Sequence, residues 1–143
     1  MNGFELAERV AATIAAASFG QEPNAEARSV PIRDPAEFDE VGTFRTAVVW
    51  RGRKTEQETK SHRIRVFTID VAIQRRTDDD AVRFKEVLDL ADAIEDHLIE
   101  TAIAGVRRRT SFVGTESPYI LPHLLEHGIT TAVVTLEYEL KVV

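Results

Sequence analysis

The clearest periodicity lies at the C-terminal end. Ala132, Val134, Leu136, Tyr138, Leu140 and Val142 alternate with Thr131, Val133, Thr135, Glu137, Glu139 and Lys141. Side chains alternate across a strand, so this segment predicts a strand with one buried and one wetter face. The sequence ends in it, which predicts that the last segment completes a sheet. Near the other end the period becomes helical. Phe4, Ala7, Val10, Ala11, Ile14 and Ala17 form one apolar stripe. Asn2 precedes the stripe with Glu5 three residues on, as in a capping box, and Gly20 offers a stop.

Phe44 to Arg51 and Ser61 to Arg75 are rich in β-branched and aromatic residues and predict a hairpin. The polar stretch from Gly52 to Lys60 joins them as a tip too long for a tight turn. In the second strand, Ile64 and Val66 share one parity while Phe67, Ile69, Val71 and Ile73 share the other. Such a slip predicts a β-bulge or bend near Val66–Phe67. Ser29-Val30-Pro31 reads as a short edge strand, and the acidic run from Asp34 to Glu40 as a loop.

A long helix follows Thr77-Asp78-Asp79-Asp80, whose acids suit the positive end of the helix dipole. Its expected buried stripe is Phe84, Val87, Leu88, Ala91, Ile94 and Leu98, with Gly105 ending the element. Ser111 to Gly114 is a short strand candidate, Leu121 to Glu126 at most a short helix, and His127-Gly128 a turn. This order predicts one α+β domain over residues 1–143. It is a two-layer, mostly antiparallel β-sheet packed with an N-terminal helix and a long central helix.

Composition narrows the chemistry. With no cysteine, disulfides, thiolate catalysis and Cys-based metal sites are excluded. No apolar run approaches the length of a transmembrane helix, and a cytoplasmic protein is expected. The net charge of −6 and pI of 5.2 disfavour a specific duplex-DNA binder. The basic runs Arg51, Arg53, Lys54 and Arg107-Arg108-Arg109 read as solvated turns, or as docking surfaces for an acidic protein partner.

No catalytic signature emerges. His123 and His127 have the i, i+4 spacing of zinc ligands, but Pro122 and Gly128 bracket a very short segment and no third ligand is apparent. Asp78, Asp79 and Asp80 are explained as a helix start rather than a magnesium site. Glu139 and Lys141 point the same way along a strand. With Asp70 from another strand they sketch a metal-dependent nuclease centre. Glycine-rich phosphate loops and nucleophile elbows are both missing. Neither catalytic residue, cofactor nor metal is therefore assigned.

The layout, and with it the segments FRTAVVWRGRK, HRIRVFTIDVAIQRR, TDDD, SFVGTESPYILPHLLEHG and TTAVVTLEYEL, resembles tailed-phage tail-terminator proteins. That group includes the lambda tail terminator and related neck and minor tail proteins. The resemblance spans nearly the whole chain and implies a virion structural protein, not an enzyme. It implies a homo-oligomer, a hexameric ring that caps the tail tube, stops its polymerisation and meets the head–tail connector. DNA would pass through the lumen without specific binding. Six copies would carry a charge of −36, suited to repelling DNA from an acidic lumen.

Under this resemblance the candidate protein interfaces are the polar tip (Arg51, Arg53, Lys54, Glu56 and Glu58) and the acidic loop (Asp34, Glu37, Asp39 and Glu40). Charge reversal at Arg53 plus Lys54 is expected to impair assembly without unfolding. A head-completion or connector protein, or the cap of a phage-like contractile device, would share this layout. The nuclease and a small monomeric binding module are readings of other classes.

Overall fold

The computed structural model describes residues 1–29, 43–57, 60–109 and 119–142. The expected strand at Ser29-Val30-Pro31 falls mostly outside this range. The acidic loop with Asp34, Glu37, Asp39 and Glu40, then Glu58, and the strand candidate at Ser111 to Gly114 lie outside it entirely.

The described elements run α1 (Gly3–Ala15), β1 (Ala25–Arg28), β2 (Arg45–Gln57), β3 (Arg63–Arg76), α2 (Ala81–Glu100), β4 (Arg107–Arg108), α3 (Leu121–His127) and β5 (Ile129–Val142). Five strands form a sheet in the order β1-β2-β3-β5-β4. Among the described residues only the β1–β2 pair is parallel, and the other pairings are antiparallel. The expectation of an α+β fold with a mostly antiparallel sheet holds, the β1–β2 pair making the sheet mixed.

Local chemistry explains the element starts. Asn2 caps α1, its Oδ1 accepting from the Glu5 N–H at 2.8 Å while its Nδ2 donates to Glu5 Oε1 at 3.2 Å. The first of these bonds satisfies a backbone N–H that the helix start leaves open, and the second ties the two side chains together. Asp80 does the same for α2, accepting from the N–H groups of Val82 and Arg83. Of the three consecutive aspartates, this one is the cap, and the helix-start reading of the acidic run stands. Gly128 ends α3 with φ of 66°, a conformation that a Cβ disfavours.

Both long helices lie on one face of the sheet. Leu6, Val10 and Ile14 of α1 and Val87, Leu90, Ile94 and Leu98 of α2 pack there. They meet Phe67, Ile69, Val71 and Ile73 of β3 and Ala132, Val134, Leu136 and Tyr138 of β5. The alternation of β5 therefore holds as expected. Helix stripes were predicted less well. Leu6 and Leu90 are buried, whereas Phe4 is exposed and Phe84 and Leu88 are only half-buried. Leu90 faces the sheet because α2 crosses over β5 and β3, an orientation that helical spacing alone does not fix.

Three element boundaries need correction. The first helix ends at Ala15, well before Gly20, and α2 ends at Glu100, before Gly105. Both glycines still sit in left-handed turns, at φ 79° and 87°. The proposed tip is largely strand: β2 continues to Gln57 and pairs down to Gln57↔Arg63. Finally, β3 carries no bulge. The irregularity is in β2 between Trp50 and Gly52, where Arg51 is the extra residue. Ile64 and Val66 lie on the sheet face away from the helices, in continuous register with Lys141 and Glu139.

Candidate functional site

The sheet face away from α1 and α2 is built from three zones. Ala47, Val49 and Ala72, with Val133, make a small apolar cluster. Next along the strands come Asp70 and Thr135, directly paired. The Thr135 hydroxyl donates to Asp70 Oδ1 at 2.8 Å, and the Arg51 side chain approaches Asp70 Oδ2 at 3.4 Å. Beyond them the face becomes a lattice of opposite charges around the buried Val66. Cross-strand neighbours lie close enough for long side chains to pair.

Arg109 is the centre of that lattice. Its Nη1 donates to both carboxylate oxygens of Glu56 at 3.2 Å, and its Nε lies 3.9 Å from Glu137 and Glu139. Its backbone N–H also bonds the Glu137 carbonyl at 2.8 Å. Arg107 binds Glu139, and Lys54 lies 3.4 Å from Glu56. The Arg109 hydrogen bond holds the Glu56 carboxyl below its ordinary range and raises the guanidinium in turn. The basic run at 107–109 is thus part of the sheet rather than a solvated turn: Arg107 and Arg108 form β4.

The anticipated interface residues now separate. Lys54 and Glu56 face the charge lattice, and Arg51 sits in the bulge against Asp70. Arg53 differs. The bulge shifts the parity of β2, so Arg53 pairs with Phe67 and shares the helix-side face with Trp50, which pairs with Ile69. Arg53 is exposed and has no ion pair among the described residues.

The nuclease triad is not brought together. Asp70 is opposite Thr135, four residues from Glu139 and six from Lys141. At a strand rise of about 3.3 Å that separates Asp70 from Glu139 by roughly 13 Å and from Lys141 by roughly 20 Å. Both carboxylates are occupied, by Thr135 with Arg51 and by Arg107. The histidine pair is likewise divided. His123 Nδ1 is 2.8 Å from Thr131 Oγ1, and burial followed by the nearby His127 pushes His123 down. His127 lies against Glu126. Among the described residues no group of three or more His, Asp or Glu could hold a metal ion.

A second feature escaped sequence reasoning. The first turn of α2 and α3 flank a groove of about 560 Å³ lined by Asp78, Asp79, Asp80, Phe84, Leu124 and Leu125 among others. Phe84 meets Tyr119 edge-on with ring centroids 4.9 Å apart. Leu125 of this lining is 74% exposed. Apolar side chains gathered with acids at one place make this groove a candidate interaction surface. Each residue alone looked like helix stripe or turn, and only their convergence from Asp78 to Gly128 reveals the groove.

Set against known protein families and curated proteins, the sequence matches none. No described helix is long and apolar enough to cross a membrane.

Proposed function

We propose that this chain is a ring-forming structural protein of a phage tail, capping the tail tube and joining it to the head connector. The layout carries the reading. The resemblance to tail terminators rests on the order of helix, long hairpin, long helix and closing strand, and the described elements follow one another in that order. The rest of the surface suits assembly better than catalysis. The carboxylates of the charge lattice are paired with basic side chains, as in a rigid platform. The distal hairpin exposes Arg53, Thr55, Gln57 and Arg63, which suits a projecting contact arm. Large apolar side chains are exposed at Phe4, Trp50, Val82, Leu121 and Leu125. Partner subunits are the natural cover for such groups.

The test is tube growth. The chain is added to polymerising tail-tube protein, with length followed by electron microscopy and mass by light scattering. Arrest of growth and a cap of several copies at one tube end are expected. Tubes that grow unchanged, with no copy bound at either end, overturn the proposal.

A further inference from the structure

Two exposed apolar clusters on this molecule carry opposite charges. The first is a ridge where α1 begins against β2. Trp50 and Phe4 are 40% and 44% exposed. Gly3 lies flat against the Trp50 ring, and Phe4 follows it in the first turn of α1. The Trp50 indole N–H donates to the Gly52 carbonyl at 2.9 Å, and its ring meets Phe67 edge-on, which fixes the exposed face. The β2 bulge then places Arg53 as the next side chain on the same face. The second cluster is the groove between α2 and α3, with Phe84, Leu124 and Leu125 as its wall and Asp78, Asp79 and Asp80 at its rim. Asp80 is committed to capping α2, and Asp78 lies 3.6 Å from Arg76. Asp79 has no hydrogen bond or ion pair among the described residues.

Within one molecule these clusters cannot meet. Arg53 is opposite Phe67, and the groove begins just past Arg76 at the end of β3. Nine strand residues separate the two levels, roughly 30 Å at about 3.3 Å each. We propose that the ridge of Phe4, Trp50 and Arg53 on one copy seats in the Asp79–Phe84–Leu124–Leu125 groove of the next. Aromatic and arginine side chains are the residues that anchor interfaces, and here the arginine meets an acid left without a partner. Because the two surfaces differ, the contact is heterologous and repeats head to tail, closing into a ring if the rotation permits. This deepens the ring reading above and rests on it for closure; the contact itself is tested without a tube.

Trp50 is the only tryptophan, so its emission reports the contact directly. Sedimentation velocity of the purified chain, read alongside that emission over rising concentration, should show species heavier than the 16.0 kDa monomer and a blue shift as they form. Arg53→Glu and Asp79→Arg should each weaken association about tenfold or more, while far-ultraviolet circular dichroism stays unchanged. The double reversal, Arg53→Glu with Asp79→Arg, should restore it. A wild-type chain that stays monomeric at millimolar concentration overturns the contact. So does a double reversal no better than the worse single variant. A monomer that still caps tubes would sink this contact and leave the cap reading standing. Association through the contact by a chain that ignores tubes would do the reverse.

Discussion

The fit between Gly3 and Trp50 gives the sharpest stability prediction. Gly3 is the first residue of α1 and is buried, and a Cβ added there would overlap Cγ, Cδ2 and Cε2 of the Trp50 ring. These atoms belong to the body of a fused ring held by the Gly52 carbonyl and by Phe67, whose ring centroid is 6.4 Å away. In Gly3→Ala the indole must therefore swing out. The edge contact with Phe67 is worth about 0.5–1.5 kcal/mol and the indole hydrogen bond a similar amount. Alanine returns at most about 1 kcal/mol of helix propensity, and less at a first helical position. The net loss is about 1–2 kcal/mol, or roughly 2–8 °C in Tm at this chain length. Urea denaturation followed by circular dichroism measures the loss, and a red shift of the Trp50 emission reports the displaced ring. In a Trp50→Ala background the same Gly3→Ala change should be neutral or mildly stabilising. An equal loss in both backgrounds, or an unshifted emission maximum, would refute the reasoning.

Three further predictions concern Arg75 with Glu86, Tyr138 and Gly128. Arg75 is 8% exposed, lies 4.5 Å over the Phe44 ring and binds Glu86 at 2.6 Å, so Glu86→Ala should cost about 1–3 kcal/mol in denaturant titration. Replacing the pair together, as Arg75→Met with Glu86→Leu, should recover most of that loss. The Tyr138 hydroxyl is buried without a hydrogen bond among the described residues, and burial pushes its ionisation up to about 12. The neutral form is the one the fold favours, so stability holds below pH 10 and falls by about 1.4 kcal/mol per pH unit from there to the raised value. Tyr138→Phe should be neutral or stabilising at pH 7 and should remove that component of alkaline loss in a pH series of melts. At Gly128, φ is 66° and an added Cβ would strike Asp78 Oδ1, so Gly128→Ala should cost about 1–3 kcal/mol in thermal melts. An Asp78→Gly background should return only the steric share.

Much of the scaffold was legible because it depends on local periodicity and end chemistry. The two-residue period of β5 and the capping groups at Asn2 and Asp80 act over a few residues, so the sequence contains their whole cause. The same local logic misplaced the bulge. Ile64 and Val66 break the apolar parity of β3, but the extra residue sits in β2 at Arg51, and strand pairing alone decides which partner bends. It also took the hairpin's polar stretch for a loop, because Arg53 to Gln57 lack apolar alternation and are strand only through pairing with Phe67 to Arg63.

The chain by itself determined an α+β domain, the number and order of its long elements, and the exclusion of cysteine chemistry. Each of these follows from spacing or from residue type. Tertiary structure decided which charges are shared. Arg109 meets Glu56 across 53 residues of chain, a pairing set by the order of strands in the sheet. It also decided that Asp70, Glu139 and Lys141 lie on one face but too far apart to converge, since strand register sets their spacing. The acidic groove and the Trp50 ridge arise in the same way. Residues distant in sequence share a surface only after the helices have settled on the sheet, and burial chooses that arrangement for the core beneath them.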